Sequence, residues 1–330
     1  MKYLTRLCYN TDGWKKPSGV AQAKEVKGSY TRQFGFGHEE WLFRDEWTVD
    51  GWRYAFVQGV NKSRKRLLKN AQPFDLHLFS IEPKSKRRYV GEITEVECLS
   101  DQQAQGTLEL FQRNGWFQTM CDEIAELGHE PGNLGHEKYA PFVFNIRFRL
   151  DNVTLYDADE YSKSGDPIID RCKRYQLYSV VVHGDQVPVT RRKPAGKDFI
   201  TIPKITSTTR TITYQRTFEH ARMQEKLLQQ LRGIYPHEMV RAEREYIDVA
   251  VETEDSLILY EIKSDILPRS VLRHSIGQLL EYAYHAKVRK KDIKLVAVGR
   301  QPLDVEDTEY LDLLKERFVL PLSYLCVPLD

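Results

Sequence analysis

The chain has no paired cysteines, no long apolar run and almost no net charge, and each absence removes a class of protein. Its five cysteines (Cys8, Cys98, Cys121, Cys172 and Cys326) stand far apart, odd in number and without a CxxC spacing. That argues against a disulfide framework and against a structural zinc, and it suits a reducing cytoplasm, where we expect the protein to work. The opening residues MKYLTRLCYNTDGWKK contain no continuous apolar core of the signal-peptide kind, and no run of about 18 apolar residues occurs anywhere, so no membrane partner is expected. Lys and Arg (49) nearly cancel Asp and Glu (47), leaving +2, so bulk charge does not announce a nucleic-acid binder.

What is present is ordinary globular composition: 41% hydrophobic and 29% charged residues over 330 positions, long enough for two cores. The cations are clustered, in KSRKRLLK (62–69), KSKRR (84–88) and KVRKKDIK (287–294). Such clusters are either solvated loop faces or phosphate-binding patches, and an independent nucleic-acid signal is needed to choose.

Residues 1–150 alternate short β-like runs (52–60, 74–82, 87–99 and 142–150) with Gly, Pro and Asn punctuation, around one helical stretch, 107–127, that Gly115 interrupts. This texture predicts a mainly-β domain, a small barrel or strongly bent sheet. Residues 151–215 are polar and rich in Pro, Ser and Thr, with a strand-like island at 177–184; they read as a connecting region carrying Arg191, Arg192, Lys193, Lys197, Lys204 and Arg210. Residues 216–330 predict helix, three strands, helix, strand, helix, strand, which is an α/β domain with a mixed sheet.

In that last part, LILYEIKSD (257–265) leads an apolar strand into Glu261 and Lys263. Alternation along the strand turns both to one face. A TEDS turn (253–256) between IDVAV and LILYEIK sets Asp248 opposite Glu261. Facing carboxylates repel, and they are tolerated mainly where a cation sits between them. Two carboxylates with a backbone carbonyl suit Mg²⁺, an oxygen-seeking cation; Mn²⁺ is the alternative metal. A lysine beside them offsets transition-state charge. The E-x-K triplet alone says little, since Glu25-Val26-Lys27 and Glu82-Pro83-Lys84 repeat it without an apolar strand.

The ordered set HARMQEKLLQQL, EREYIDVAV, LILYEIKSD and SIGQLLEYAYH resembles the PD-(D/E)XK nuclease superfamily, which includes restriction endonucleases and RecB-like nucleases, over residues 217–300. The resemblance implies a restriction-endonuclease-like mixed sheet flanked by helices. It implies a site in which Asp248, Glu261 and the Ile262 carbonyl hold the metal and Lys263 is catalytic. Gln278 and Tyr282 match the family's Q-x-x-x-Y motif, though they also suit the capping and packing of a core helix. The family often adds a Glu from the first helix, and Glu225 is preferred to Glu219 for that role. Ile247 stands where a Pro commonly precedes the Asp. His220 opens the same helix and reads as structural; Glu243 is either a further acidic group or a sheet-edge residue.

The N-terminal segments GSYTRQFGFGHEEWLF (28–43), RYAFVQGV and YVGEITEVECL resemble PUA-like barrels, including EVE-type readers of modified bases. That resemblance implies a flipped base in an aromatic pocket. Trp14, Tyr30, Phe36, Trp41 and Trp52 are the candidate walls, and Lys62, Arg64, Lys65 and Arg66 the candidate backbone contacts. The same aromatics are otherwise simply the core of a small β domain.

The expected function is a Mg²⁺-dependent endonuclease acting on double-stranded DNA, a restriction enzyme responding to modified DNA and pairing as a homodimer to cut both strands. The alternatives are a repair or structure-specific nuclease with the same core, and an inactive DNA-binding module.

Overall fold

The computed structural model describes residues 1–21, 29–132, 134–156, 169, 172–179, 217–244, 247–285 and 291–329. The cations named in 191–210, and the first half of KVRKKDIK, lie outside these residues. So does the Glu243 side chain, while its backbone is strand. The chain forms two compact units, Met1–Gln215 and Arg216–Asp330.

The strands of the first unit are β1 (Lys2–Leu7), β2 (Thr48–Val49), β3 (Trp52–Ala55), β4 (Phe74–Ile81), β5 (Arg87–Cys98), β6 (Ile146–Arg149), β7 (Val153–Leu155) and β8 (Tyr178–Ser179). Its helices are α1 (Tyr30–Phe34), α2 (Gln58–Asn61), α3 (Arg64–Asn70), α4 (Asp101–Arg113) and α5 (Trp116–Glu126). The sheet runs β2-β3-β6-β5-β4-β1-β8, with β7 on β5, and β1 pairs parallel to β4. β7 and β8, drawn from the region read as a connector, are thus part of this sheet.

The expected barrel does not form. Closure requires the edge strands to meet. Here the edges β2 and β8 are two-residue strands that find no partner in each other among the described residues. Helices also carry one core: Leu108, Phe111, Met120 and Ile124 of α4 and α5 pack with Trp52 and Tyr54 of β3. The unit is mixed α/β rather than mainly β.

Its longest strand organises it. β5 pairs with β4 along one edge and with β7 and then β6 along the other. Between these neighbours lies a bulge, where Thr94 and Glu95 oppose Asp75 alone, Glu95 takes φ 52°, and its N–H donates to Asp75 Oδ1 at 3.1 Å. Gly91 lies where β7 approaches so closely that a Cβ would press on the Thr154 carbonyl oxygen. Ser100 caps α4 in a reciprocal pair with Gln103, and Gly115, at φ 75°, ends the helix and begins α5.

The second unit has α6 (Phe218–Arg232), β9 (Val240–Arg244), β10 (Ile247–Glu252), β11 (Ser256–Ile262), α7 (Pro268–His285), β12 (Asp292–Gly299), α8 (Val305–Arg317) and β13 (Leu322–Cys326). The order of elements is the one the hydrophobic pattern predicts. The sheet runs β13-β12-β11-β10-β9, antiparallel from β9 to β11 and parallel from β11 to β13. Met223, Leu227 and Leu231 of α6 cover one face with Val249, Val251, Ile258 and Ile262. Residues of α7 and α8, among them Leu272, Leu279, Leu311 and Leu314, cover the other with Leu257, Leu259 and Leu295. Among the described residues no helix is long and apolar enough to cross a membrane.

Candidate active site

The β10–β11 turn is closed by Thr253, whose N–H donates to the Ser256 carbonyl and whose hydroxyl accepts from the Ser256 N–H. This loop sets the expected register, with Val249 opposite Tyr260 and Glu252 opposite Leu257. Asp248 and Glu261 are the next positions. There the ladder between the strands stops, and the Asp248 carboxylate takes over from the backbone. Its Oδ2 accepts from the Ile262 N–H at 2.8 Å, and its Oδ1 lies 3.0 Å from His220 Nε2. Gln224 Nε2 donates to the Asp248 carbonyl at 2.8 Å.

His220 and Gln224 stand four apart on α6 and so share a helix face. Thr217 caps that helix by accepting from the His220 N–H. The H-x-x-x-Q spacing in HARMQ is the visible sequence signal of this arrangement.

Glu261 and Lys263 make a second pair, with Lys263 Nζ donating to Glu261 Oε1 at 2.7 Å. All three charged groups are buried: Asp248 is 6% exposed, Glu261 2% and Lys263 5%. Removing one member of such a buried pair costs about 3–5 kcal/mol, because its partner's charge is then stranded. The polar run continues past β11 to Ser264 and Asp265, both buried, and Asp265 Oδ1 lies 3.6 Å from His274 Nδ1 on α7.

Gln278 and Tyr282 pair with each other, the Gln278 amide donating to the Tyr282 hydroxyl at 3.3 Å, and the Tyr282 ring packs in the α7 core. Glu225 stands on α6 as well. It is exposed, whereas His220, Gln224 and Leu227 are buried. At 100° per residue, position 225 lies well round the helix from 220. Among the described residues no three His, Cys, Asp or Glu side chains are grouped to hold a metal ion. The donors at the hairpin's end nevertheless fit Mg²⁺ in kind, being two buried carboxylates with no thiolate, and in this arrangement each is turned to an internal partner.

In the first unit, four of the five candidate wall residues belong to the core. Trp52 lies between the Arg147 and Arg149 guanidinium groups, each 4.1 Å from its ring, and Arg147 itself holds buried Glu97 at 2.7 and 2.9 Å. Trp14 donates its indole N–H to the Cys8 carbonyl at 3.0 Å, Trp41 donates to Glu123 at 2.7 Å, and Phe36 is fully buried. Arg64 is engaged by the Leu99 carbonyl at 2.7 and 3.0 Å and by Asp101. Lys65 and Arg66 are exposed on α3. Of the nine, Tyr30 and Lys62 line a cavity of about 890 Å³. Compared with family models, curated proteins and solved structures, the chain matches none.

Proposed function

We propose that the protein is a Mg²⁺-dependent DNA endonuclease, in which the second unit hydrolyses phosphodiester bonds and the first reads a modified base. The observation that carries this reading is the burial of Asp248, Glu261 and Lys263 where β10 and β11 part. Buried charges cost stability, and they cluster where chemistry uses them. Asp248, Glu261 and the Ile262 carbonyl would hold the metal; Mn²⁺ satisfies the same oxygen donors. When bound, the ion supplies Lewis acidity and lowers the pKa of a water. The Lys263 ammonium orients the attacking water and offsets charge on the phosphoryl oxygens. His220 and Gln224 fix Asp248 through its carboxylate and its carbonyl. The substrate is double-stranded DNA, and cutting both strands calls for two such sites, supplied by a homodimer on DNA. The enzyme is a cytoplasmic restriction enzyme in this reading, with a repair nuclease as its variant.

The test is plasmid cleavage with Mg²⁺ or Mn²⁺, on unmodified, methylated and hydroxymethylated DNA. Wild-type protein cuts at least one of them, while Asp248→Asn, which keeps the side chain's volume and can still accept from the Ile262 N–H, does not. Equal cutting by the variant would end the assignment of Asp248. A second reading, a DNA-binding module without cleavage, draws on the internal partners that both carboxylates have. Binding without cleavage of any of these DNAs under either metal favours it.

A further inference from the structure

The cavity of about 890 Å³ lies wholly within the first unit, and the hydrolytic chemistry above makes no use of it. Tyr30, Phe34, His38, Phe56, Tyr139 and Phe142 form its aromatic wall. Tyr30 lies 4.5 Å from Phe34 and 4.7 Å from His38, which stands edge-on to Phe56 at 5.4 Å, all between ring centroids. Three of the rings are open to solvent, Tyr30 at 42%, Tyr139 at 43% and Phe142 at 50%. Exposed aromatics gathered round one concavity mark a ligand site rather than a core.

Charge narrows the ligand. An aromatic cage suits a cationic ammonium, but Lys62, Lys173 and Arg174 also line the cavity, all exposed, and they repel one. The lining carboxylate, Glu39, is spent on the backbone N–H groups of Cys8 and Gln58, each at 2.7 Å. A flat uncharged ring joined to phosphates suits both surfaces: the aromatics stack it and the cations hold its backbone.

Hydrogen bonding narrows it further. His38 Nδ1 bonds the Phe142 carbonyl, which can only accept, so Nδ1 carries the proton and Nε2 is an acceptor. The Tyr30 hydroxyl, 2.9 Å from Nε2, therefore donates its proton there and turns only lone pairs to the cavity. Burial keeps both groups neutral, pushing His38 down to about 4 and Tyr30 up to about 12. The cavity's volume lies within the range of ligand pockets and leaves room for a base with a substituent.

We infer that this cavity receives a pyrimidine flipped out of DNA whose modification carries a hydroxyl, with that hydroxyl donating to Tyr30 Oη and the basic residues holding the flanking phosphates. The inference deepens the modified-base reading above and rests on it. A 5-methyl group offers Tyr30 no donor, so the two modifications are separated by one hydrogen bond.

The experiment is binding of full-length wild-type protein, in EDTA, to duplexes with one central cytosine, either unmodified, 5-methyl, 5-hydroxymethyl or glucosylated 5-hydroxymethyl, read by fluorescence anisotropy. The hydroxyl-bearing duplexes bind about tenfold tighter than the 5-methyl one, and Tyr30→Phe removes that preference without lowering the melting temperature of the first unit. Tyr139→Ala, which truncates an exposed ring, weakens binding of the preferred duplex at least about fivefold through lost stacking. Equal affinity for methyl and hydroxymethyl duplexes, or a preference that survives Tyr30→Phe, overturns the inference. Modification-dependent cleavage that ignores Tyr30 refutes the pocket while the endonuclease stands. A Tyr30-dependent preference without cleavage under any divalent metal supports the pocket and refutes the endonuclease.

Discussion

The two candidate sites of this protein are built in opposite ways. At the end of the β10–β11 hairpin, charged groups are buried and held by hydrogen bonds, Asp248 to His220 and the Ile262 N–H, and Glu261 to Lys263, so position is fixed by polar contacts. In the first unit, apolar rings stand open round a cavity whose polar lining includes basic side chains and a chain of hydrogen bonds from Phe142 through His38 to Tyr30. Chemistry on a phosphate needs charge held still in a dry place; recognition of a flat ring needs apolar surface left uncovered. Substitutions at the first should therefore strand charge, and substitutions at the second should cost little stability.

The largest effects test that contrast at the hairpin. Lys263→Ala leaves Glu261 buried without its ammonium and is expected to destabilise the second unit by about 3–5 kcal/mol in urea unfolding. Asp248→Asn should unfold like wild type yet lose cleavage by about a thousandfold, the scale of losing one preorganised electrostatic group. If Asp248→Asn unfolds as easily as Lys263→Ala, the cluster is structural and the contrast fails. His220→Ala, which frees Asp248 to turn, should lower cleavage about 10–100-fold, with the largest part recovered in His220→Gln.

A pair of ring deletions sharpens the comparison within the first unit. Phe36→Ala empties a core position and should cost about 3–5 kcal/mol, whereas Tyr139→Ala at the cavity mouth should stay within about 0.5 kcal/mol of wild type. A smaller effect is expected from pH. His38 is held near 4 against an ordinary value of 6.5, so between these values the unfolded chain binds the proton and the folded one does not. The stability due to this group is complete above 6.5 and is lost as pH falls through that window. NMR titration of the ring should find it neutral until about pH 4; a midpoint near 6.5 would show a solvated ring instead of a buried one. The smallest effect belongs to Glu225→Ala: cleavage unchanged and stability within about 0.5 kcal/mol.

The second unit was the more legible in the sequence because its signals are local. Its helices are long and periodic, its strands are apolar runs of ordinary length, and a four-residue turn fixes the register that sets Asp248 one step beyond Val249. The side of α6 that Glu225 occupies was not readable, because a helix in a list of residues has no rotation until its buried side is known; His220 and Gln224 reveal that side only through contacts with β10. The first unit was less legible because its aromatics carry no label saying core or pocket. Trp52 and Tyr30 look alike as residue types, and what separates them is distant in the chain, Arg147 and Arg149 closing on one and Phe142 anchoring the His38 that holds the other. The barrel expectation failed for a related reason. β3 to β6 stand in the β-like runs, but β1, β2 and β7 do not, and nothing local in such runs says whether the edges of a sheet meet.

The Ile262 amide has a consequence for measurement. Nearly every strand N–H reports on a neighbouring strand, but this one reports on a carboxylate, Asp248 Oδ2 at 2.8 Å. Its exchange with deuterated solvent is therefore tied to what that oxygen is doing. A cation that draws Asp248 away releases this single amide while Lys263 N–H, bonded to the Val298 carbonyl at 2.9 Å, stays protected. Two adjacent residues thus provide a built-in indicator and its reference, readable without any DNA and without a single turnover.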